Sequence, residues 1–108
     1  MKIAIATNDR ITIAQRTGRA NEFAFYTIKN GKIDSVLYQK NNHTHHDYGD
    51  HSHKEIVSQL KGVDIFLVRA IGKNMRRDLK KENINYQLVK IDAISEIISN
   101  LLKARQLK

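Results

Sequence analysis

The chain has 108 residues, 41% of them hydrophobic, with a net charge of +8 and no cysteine. That length suits one domain, spanning 1–108, with a real core. The missing cysteines exclude disulfides, thiolate ligands and cysteine nucleophiles, and no apolar run approaches the roughly 18 residues of a membrane span.

In chain order, Lys2–Thr7 (KIAIAT) reads as a short buried strand ended by Asn8 and Asp9. Its lysine, brief apolar stretch and following charges do not read as a signal peptide, so a cytoplasmic protein is expected. Glu22–Lys29 alternates as a second strand. Asn30-Gly31 is a strong hairpin signal, because both residues tolerate positive φ, and Lys32–Lys40 is the returning strand. Ile56, Val57 and Leu60 then have helical spacing. Ser52 with Glu55 fits a capping box, and Gly62 stops the helix. Residues 63–68 (VDIFLV) are apolar enough for a strand covered on both faces. Ala70-Ile71-Gly72 turns into a helix carrying Met75 and Leu79. Residues 84–90 read as a short strand, and Ile94, Ile97, Ile98, Leu101 and Leu102 stripe a last helix, with Asp92 as candidate cap. The expected fold is α/β, a mixed five-stranded sheet with three helices.

Ligands on such sheets bind beyond the carboxyl ends of the parallel strands. Three pieces are expected there: the turn after the first strand, the segment leading into the first helix, and residues 69–73. The second piece holds every histidine of the chain. Residues 43–55 read HTHHDYGDHSHKE and contain His43, His45, His46, His51 and His53. Neutral imidazole is a common ligand for zinc, nickel, copper and iron. His43 and His45, like His51 and His53, are two apart, so in extended chain each pair projects to one side. Asp47 and Asp50 between the pairs are possible oxygen ligands. The bland alternative is a polar loop with exposed histidines. Strand, glycine turn and helix start at 69–73 make a geometry in which backbone N–H groups meet an anion. Lys73, Arg76 and Arg77 there oppose the helix dipole unless an anion is bound. Arg16 and Arg19 could clamp an anionic cluster or phosphate.

Enzyme readings fare poorly. A nuclease needs several carboxylates around two Mg²⁺ ions; Asp9 ends a strand, but Asp34 and Asp64 sit at strand starts, at the other end of the sheet. No Walker loop or G-x-G-x-x-G is present. A basic nucleic-acid-binding module is the main alternative, favoured by charge, but Tyr26, Tyr38, Tyr48 and Tyr86 form no stacking platform.

The order of these pieces resembles the dinitrogenase iron–molybdenum cofactor biosynthesis family, small domains of ribonuclease-H-like fold. The resemblance covers nearly the whole chain. It rests on MKIAIATND, on Thr17-Gly18-Arg19-Ala20 followed by EFAFYTIKNGKI, on the histidine-rich stretch before a helix, and on VDIFLVRAIGKNMRRDLKKENI. It implies a non-enzymatic protein that binds a metal ion or an iron–sulfur or iron–molybdenum type cluster and exchanges it with a donor or acceptor protein. Arg16, Gly18, Arg19, Ala70, Ile71 and Gly72 are then the expected cofactor contacts. The family commonly carries His-Phe-Gly-Arg-Ala where this chain has Arg16-Thr17-Gly18-Arg19-Ala20. It also favours Gly-Gly-Ile-Gly where this chain has Arg69-Ala70-Ile71-Gly72, and losing those two glycines narrows backbone approach to a ligand.

Overall fold

The computed structural model describes residues 1–41 and 54–106. Five strands form one sheet: β1 (Lys2–Thr7), β2 (Glu22–Lys29), β3 (Lys32–Lys40), β4 (Ile65–Val68) and β5 (Tyr86–Leu88). Their order is β3-β2-β1-β4-β5. β1 runs parallel to β4, β4 parallel to β5, and β2 antiparallel to both its neighbours. This is the mixed arrangement expected. Three helices complete it: α1 (Lys54–Leu60), α2 (Lys73–Lys81) and α3 (Ile94–Gln106). None of the helices is long and apolar enough to cross a membrane, among the described residues.

The apolar runs take the interior of the sheet. Ile3 and Ile5 of β1 point to one face, with Leu67, Ala24 and Tyr26, and are covered by Ile94, Ile97 and Ile98 of α3. Ala4 and Ala6 point to the other face, with Phe23, Phe66 and Val68, under Ile56, Val57 and Leu60 of α1 and Met75 and Leu79 of α2. Side-chain size is matched across that second face. Ala6 lies opposite Phe23 and Ala4 opposite Phe66. The two small residues let the rings meet edge-to-face over β1, with centroids 6.0 Å apart. Both rings are fully buried, so truncating either to alanine would cost about 3–5 kcal/mol.

The turns follow their chemistry. Asn30 and Gly31 have φ of 55° and 74°, the paired positive values of a tight hairpin. Gly62 ends α1 at φ 91°, a conformation that disfavours side chains. Three expectations need correction. β4 begins at Ile65 rather than residue 63, because the Val63 amide closes α1 on Leu60 O at 3.2 Å. β5 is confined to Tyr86–Leu88, because Ile84 N is spent on Leu79 O at the end of α2. Asp92 does not cap α3: its carboxylate turns instead to Arg69 at 3.4 Å and Gln15 at 3.5 Å. The capping box at Ser52 lies outside the described residues, as do His43, His45, His46, His51 and His53.

Candidate functional site

β1 and β4 end side by side, and their outgoing loops share the carboxyl end of the sheet with the start of β2 and the end of β3. The first part of the loop after β1 is closed upon itself. Thr7 is fully buried; its hydroxyl donates to Thr12 O at 2.7 Å and accepts from Arg10 N at 2.9 Å. The Asp9 carboxylate accepts from Ile11 N at 2.9 Å, Thr12 N at 2.7 Å and the Thr12 hydroxyl at 2.9 Å. These donors, the Thr12 amide foremost, hold its pKa below the ordinary carboxylate value. Arg10 adopts φ 66° and forks onto Glu22, Nε to Oε1 at 2.9 Å and Nη2 to Oε2 at 2.8 Å. Its guanidinium lies 4.2 Å from the centre of the Tyr38 ring. The fork lowers the Glu22 pKa and raises that of Arg10. A carboxylate so occupied is a loop brace rather than a metal ligand. Asp64, accepting from Lys2 N at 2.7 Å, stands at the opposite end of the sheet.

Beyond Ala14 the loop changes character. Residues Thr17–Arg19 form a single 3-10 turn. Buried Thr17 donates its hydroxyl to Ala70 O at 3.1 Å, which joins this turn to the one after β4. Asn41, the last described residue before the histidine stretch, is only 5% exposed. Its side-chain amide donates to Ala20 O at 2.9 Å and Gly18 O at 3.4 Å, and its backbone amide to Asn21 O at 2.9 Å. Gln59 of α1 donates to Lys40 O at 2.8 Å. Two of the three expected pieces therefore meet at one end of the sheet, the 16–20 turn and the 69–72 turn, with Asn41 held beside the first; the histidine segment itself lies outside the described residues.

Around this junction the side chains of Arg16, Arg19 and Lys73 are exposed, while Ile71 packs against the α1/α2 core and Ala70 is exposed. Gly72 precedes α2 with φ −78° and supplies no side-chain cap to its first amides. A Cβ built at Gly18 or Gly72 would meet nothing within 4 Å. Neither packing nor backbone conformation demands glycine at either position. Arg69, where the resemblance expects glycine, is engaged elsewhere. Its Nη1 is buried and faces Asp92 Oδ1 at 3.4 Å, an ion pair without hydrogen-bond geometry. No group of three or more His, Asp or Glu suited to a metal exists among the described residues. Sequence reasoning missed Asn41 and the Thr17–Ala70 bond; both depend on partners more than 20 residues away, for which no local signal exists.

Fold and junction together define a small α/β domain whose mixed five-stranded sheet gathers two loops at its carboxyl end. The profile of the family "Dinitrogenase iron-molybdenum cofactor" matches residues 1–104, and the chain belongs to that family. Among solved structures, the crystal structure of PH0822 superposes with a TM-score of 0.77 at 21% identity, over 96% of this chain and 90% of that one. A Methanocaldococcus jannaschii protein described as a dinitrogenase gives 0.72 at 20% identity, over 96% and 89%. A Thermotoga protein described as NifB gives 0.71 at 23% identity, over 96% and 89%. At such identities these likenesses speak for the fold. No curated protein matches the chain.

Proposed function

We propose that this protein is a non-catalytic, cytoplasmic carrier whose cargo is a metal ion or an anionic iron–sulfur or iron–molybdenum type cluster, taken from one protein and passed to another. In this reading His43, His45, His46, His51 and His53 supply the metal ligands, three or four acting at once, as a first-row ion requires. Arg16 and Arg19 offer charge-assisted donors to the anion, and Gly18, Ala70, Ile71 and Gly72 give it backbone. One observation carries the proposal: Thr17 bonds Ala70, and Asn41 bonds Gly18 and Ala20. Two loops rich in exposed donors are thereby held against the point where the histidine stretch departs. Membership of the family supports the same cargo class.

The reading requires nothing catalytic. Asp9 is saturated with donors, and Asp64 is remote from it. Mg²⁺- or Mn²⁺-dependent cleavage of an RNA–DNA hybrid, abolished by Asp9→Ala, would overturn that part. The binding part is tested by calorimetric titration of the apo-protein with Zn²⁺, Ni²⁺ and Fe²⁺, beside a variant with His43, His45, His51 and His53 all changed to alanine. Binding is expected only in the parent. It should fade below about pH 6, where imidazoles with an ordinary pKa of roughly 6.5 take up protons. Equal affinity in both proteins would remove the histidines from any functional role.

A further inference from the structure

Five large hydrophobic side chains are exposed among the described residues, and three of them lie on β3: Ile33 at 49%, Val36 at 41% and Leu37 at 58%. β3 is an edge strand, paired on one side only. Apolar side chains therefore flank a row of backbone groups that no described strand satisfies, an arrangement proteins normally guard against. We propose that β3 pairs with β3 of a second copy of this chain, antiparallel and centred on Leu37, so that two five-stranded sheets become one.

The hydrogen-bond phase of the sheet selects which residues can take part. Met1 and Ile28 exchange bonds, Met1 N to Ile28 O at 3.0 Å and Ile28 N to Met1 O at 2.8 Å. Even-numbered residues of β2 thus turn their backbone groups to β1, and odd-numbered ones to β3. Asn41 N donating to Asn21 O agrees with this. In the observed register Phe23 faces Gln39, Phe25 faces Leu37 and Thr27 faces Ser35. Ser35, Leu37 and Gln39 therefore spend their backbone groups on β2, while Val36, Tyr38 and Lys40 turn theirs outward, the Lys40 carbonyl toward Gln59 of α1, which donates to it at 2.8 Å.

A two-fold axis through Leu37 uses that phase. Val36 of each copy then faces Tyr38 of the other as a hydrogen-bonded pair. The two Leu37 residues meet as a non-hydrogen-bonded pair on the axis. Asp34, the extra residue where the β2–β3 register shifts between Thr27 and Ile28, comes beside Lys40 at both ends, giving two opposite-charge side-chain pairs. Moving the axis to Val36 keeps the phase between Ser35 and Lys40 but brings Lys32, which lies beyond the register shift and pairs with Lys29, toward Lys40 twice, and leaves Asp34 beside Tyr38. Charge thus chooses the Leu37 axis, because like charges directly opposite destabilise a ladder. The Lys29 contact to Asp34, exposed and 3.8 Å long, is loose enough to yield it. The pairing lies at the outer edge of the sheet and does not depend on the cargo proposed above.

The lack of native cysteine makes the register directly testable on the full chain. Across a non-hydrogen-bonded antiparallel pair the Cα atoms are about 4.5 Å apart, within the roughly 4.4–6.8 Å a disulfide spans. Leu37→Cys should oxidise quickly to a covalent dimer. Ile33→Cys, whose equivalents the register places about 26 Å apart at roughly 3.3 Å per residue, should not. Sedimentation equilibrium of the parent in roughly 0.15 M salt should show a monomer–dimer equilibrium. Asp34→Lys and Lys40→Asp should each weaken it by about tenfold, two attractions becoming two repulsions, and the double exchange should restore it. Parent protein monomeric up to about 1 mM, the Kd of a very weak complex, would overturn the proposal. So would equal cross-linking of the two cysteine variants, or no recovery in the double exchange with each variant's melting curve intact.

Discussion

The loop leaving β1 and the turn leaving β4 start from the same end of the sheet but use their polar groups in opposite ways. From Thr7 to Thr12 the polar groups of the first are already engaged: the Thr7 hydroxyl and the Asp9 carboxylate within the loop, and the Arg10 guanidinium on Glu22 of β2. At 16–19 and 70–73 the pattern reverses. Buried Thr17 locks the two turns together, while Arg16, Arg19 and Lys73 stay exposed and the glycines have open space. A conspicuous acid at the end of a strand is here scaffolding. The unspent donors beside it are the groups able to meet a ligand.

The largest effect that would sharpen this contrast is on the braced loop. Thr7→Val keeps the shape but strands the Thr12 carbonyl and the Arg10 amide; it should cost about 2 kcal/mol, read as a lower denaturation midpoint in urea. A loss under about 0.5 kcal/mol would mean the brace is ornamental.

Acid should act on the same region. Asp9 and Glu22 have folded pKa values below their ordinary ones. Their contribution is therefore complete above the unfolded carboxylate pKa and is lost as pH falls through the depressed folded values. Melting temperature measured below pH 4 should fall less steeply in a Glu22→Gln variant than in the parent. Burial, with Tyr38 adding to it, raises Tyr26 to about 12. Its stabilising contribution is complete below the unfolded tyrosine pKa, and is lost as pH rises from about 10 through 12.

The smallest effects on stability belong to the open region. Arg16→Ala with Arg19→Ala should move stability by no more than about 0.5 kcal/mol, and Gly72→Ala should be comparably mild, since its φ of −78° and empty surroundings accept a Cβ. Both variants should nevertheless weaken retention of an anionic cluster in a gel-filtration assay. Undiminished retention would show that the open donors have no ligand.

The legible part of the fold was the part written in local patterns. KIAIAT and FLV are apolar on both faces and became interior strands, and Asn30-Gly31 placed the hairpin. Ile94, Ile97 and Ile98 placed the face of α3. The strand ends at Ile65 and Tyr86 were less legible, because amides of Val63 and Ile84 are taken by helix ends. Asp92 could equally cap a helix or meet a cation, and a residue from another element, Arg69, decided it. The openness of β3 was hidden too: KIDSVLYQK alternates like any strand, and its exposure follows from lying at the sheet edge. Of the candidate site, the gathering of Arg16, Gly18 and Arg19 with Ala70, Ile71 and Gly72 followed from strand order. The role of Asn41 did not, since an asparagine before a polar stretch looks like any loop residue.

The proposed role stands or falls with whether the histidine stretch and the open junction hold a metal or metallocluster. Metal and sulfide analysis of untagged protein, purified anaerobically without a metal-affinity column, tests it most directly. Metal should approach one equivalent of ion or cluster per chain in the parent, and fall to traces when His43, His45, His51 and His53 are alanine. Trace metal in the parent, or equal metal in both, would contradict it.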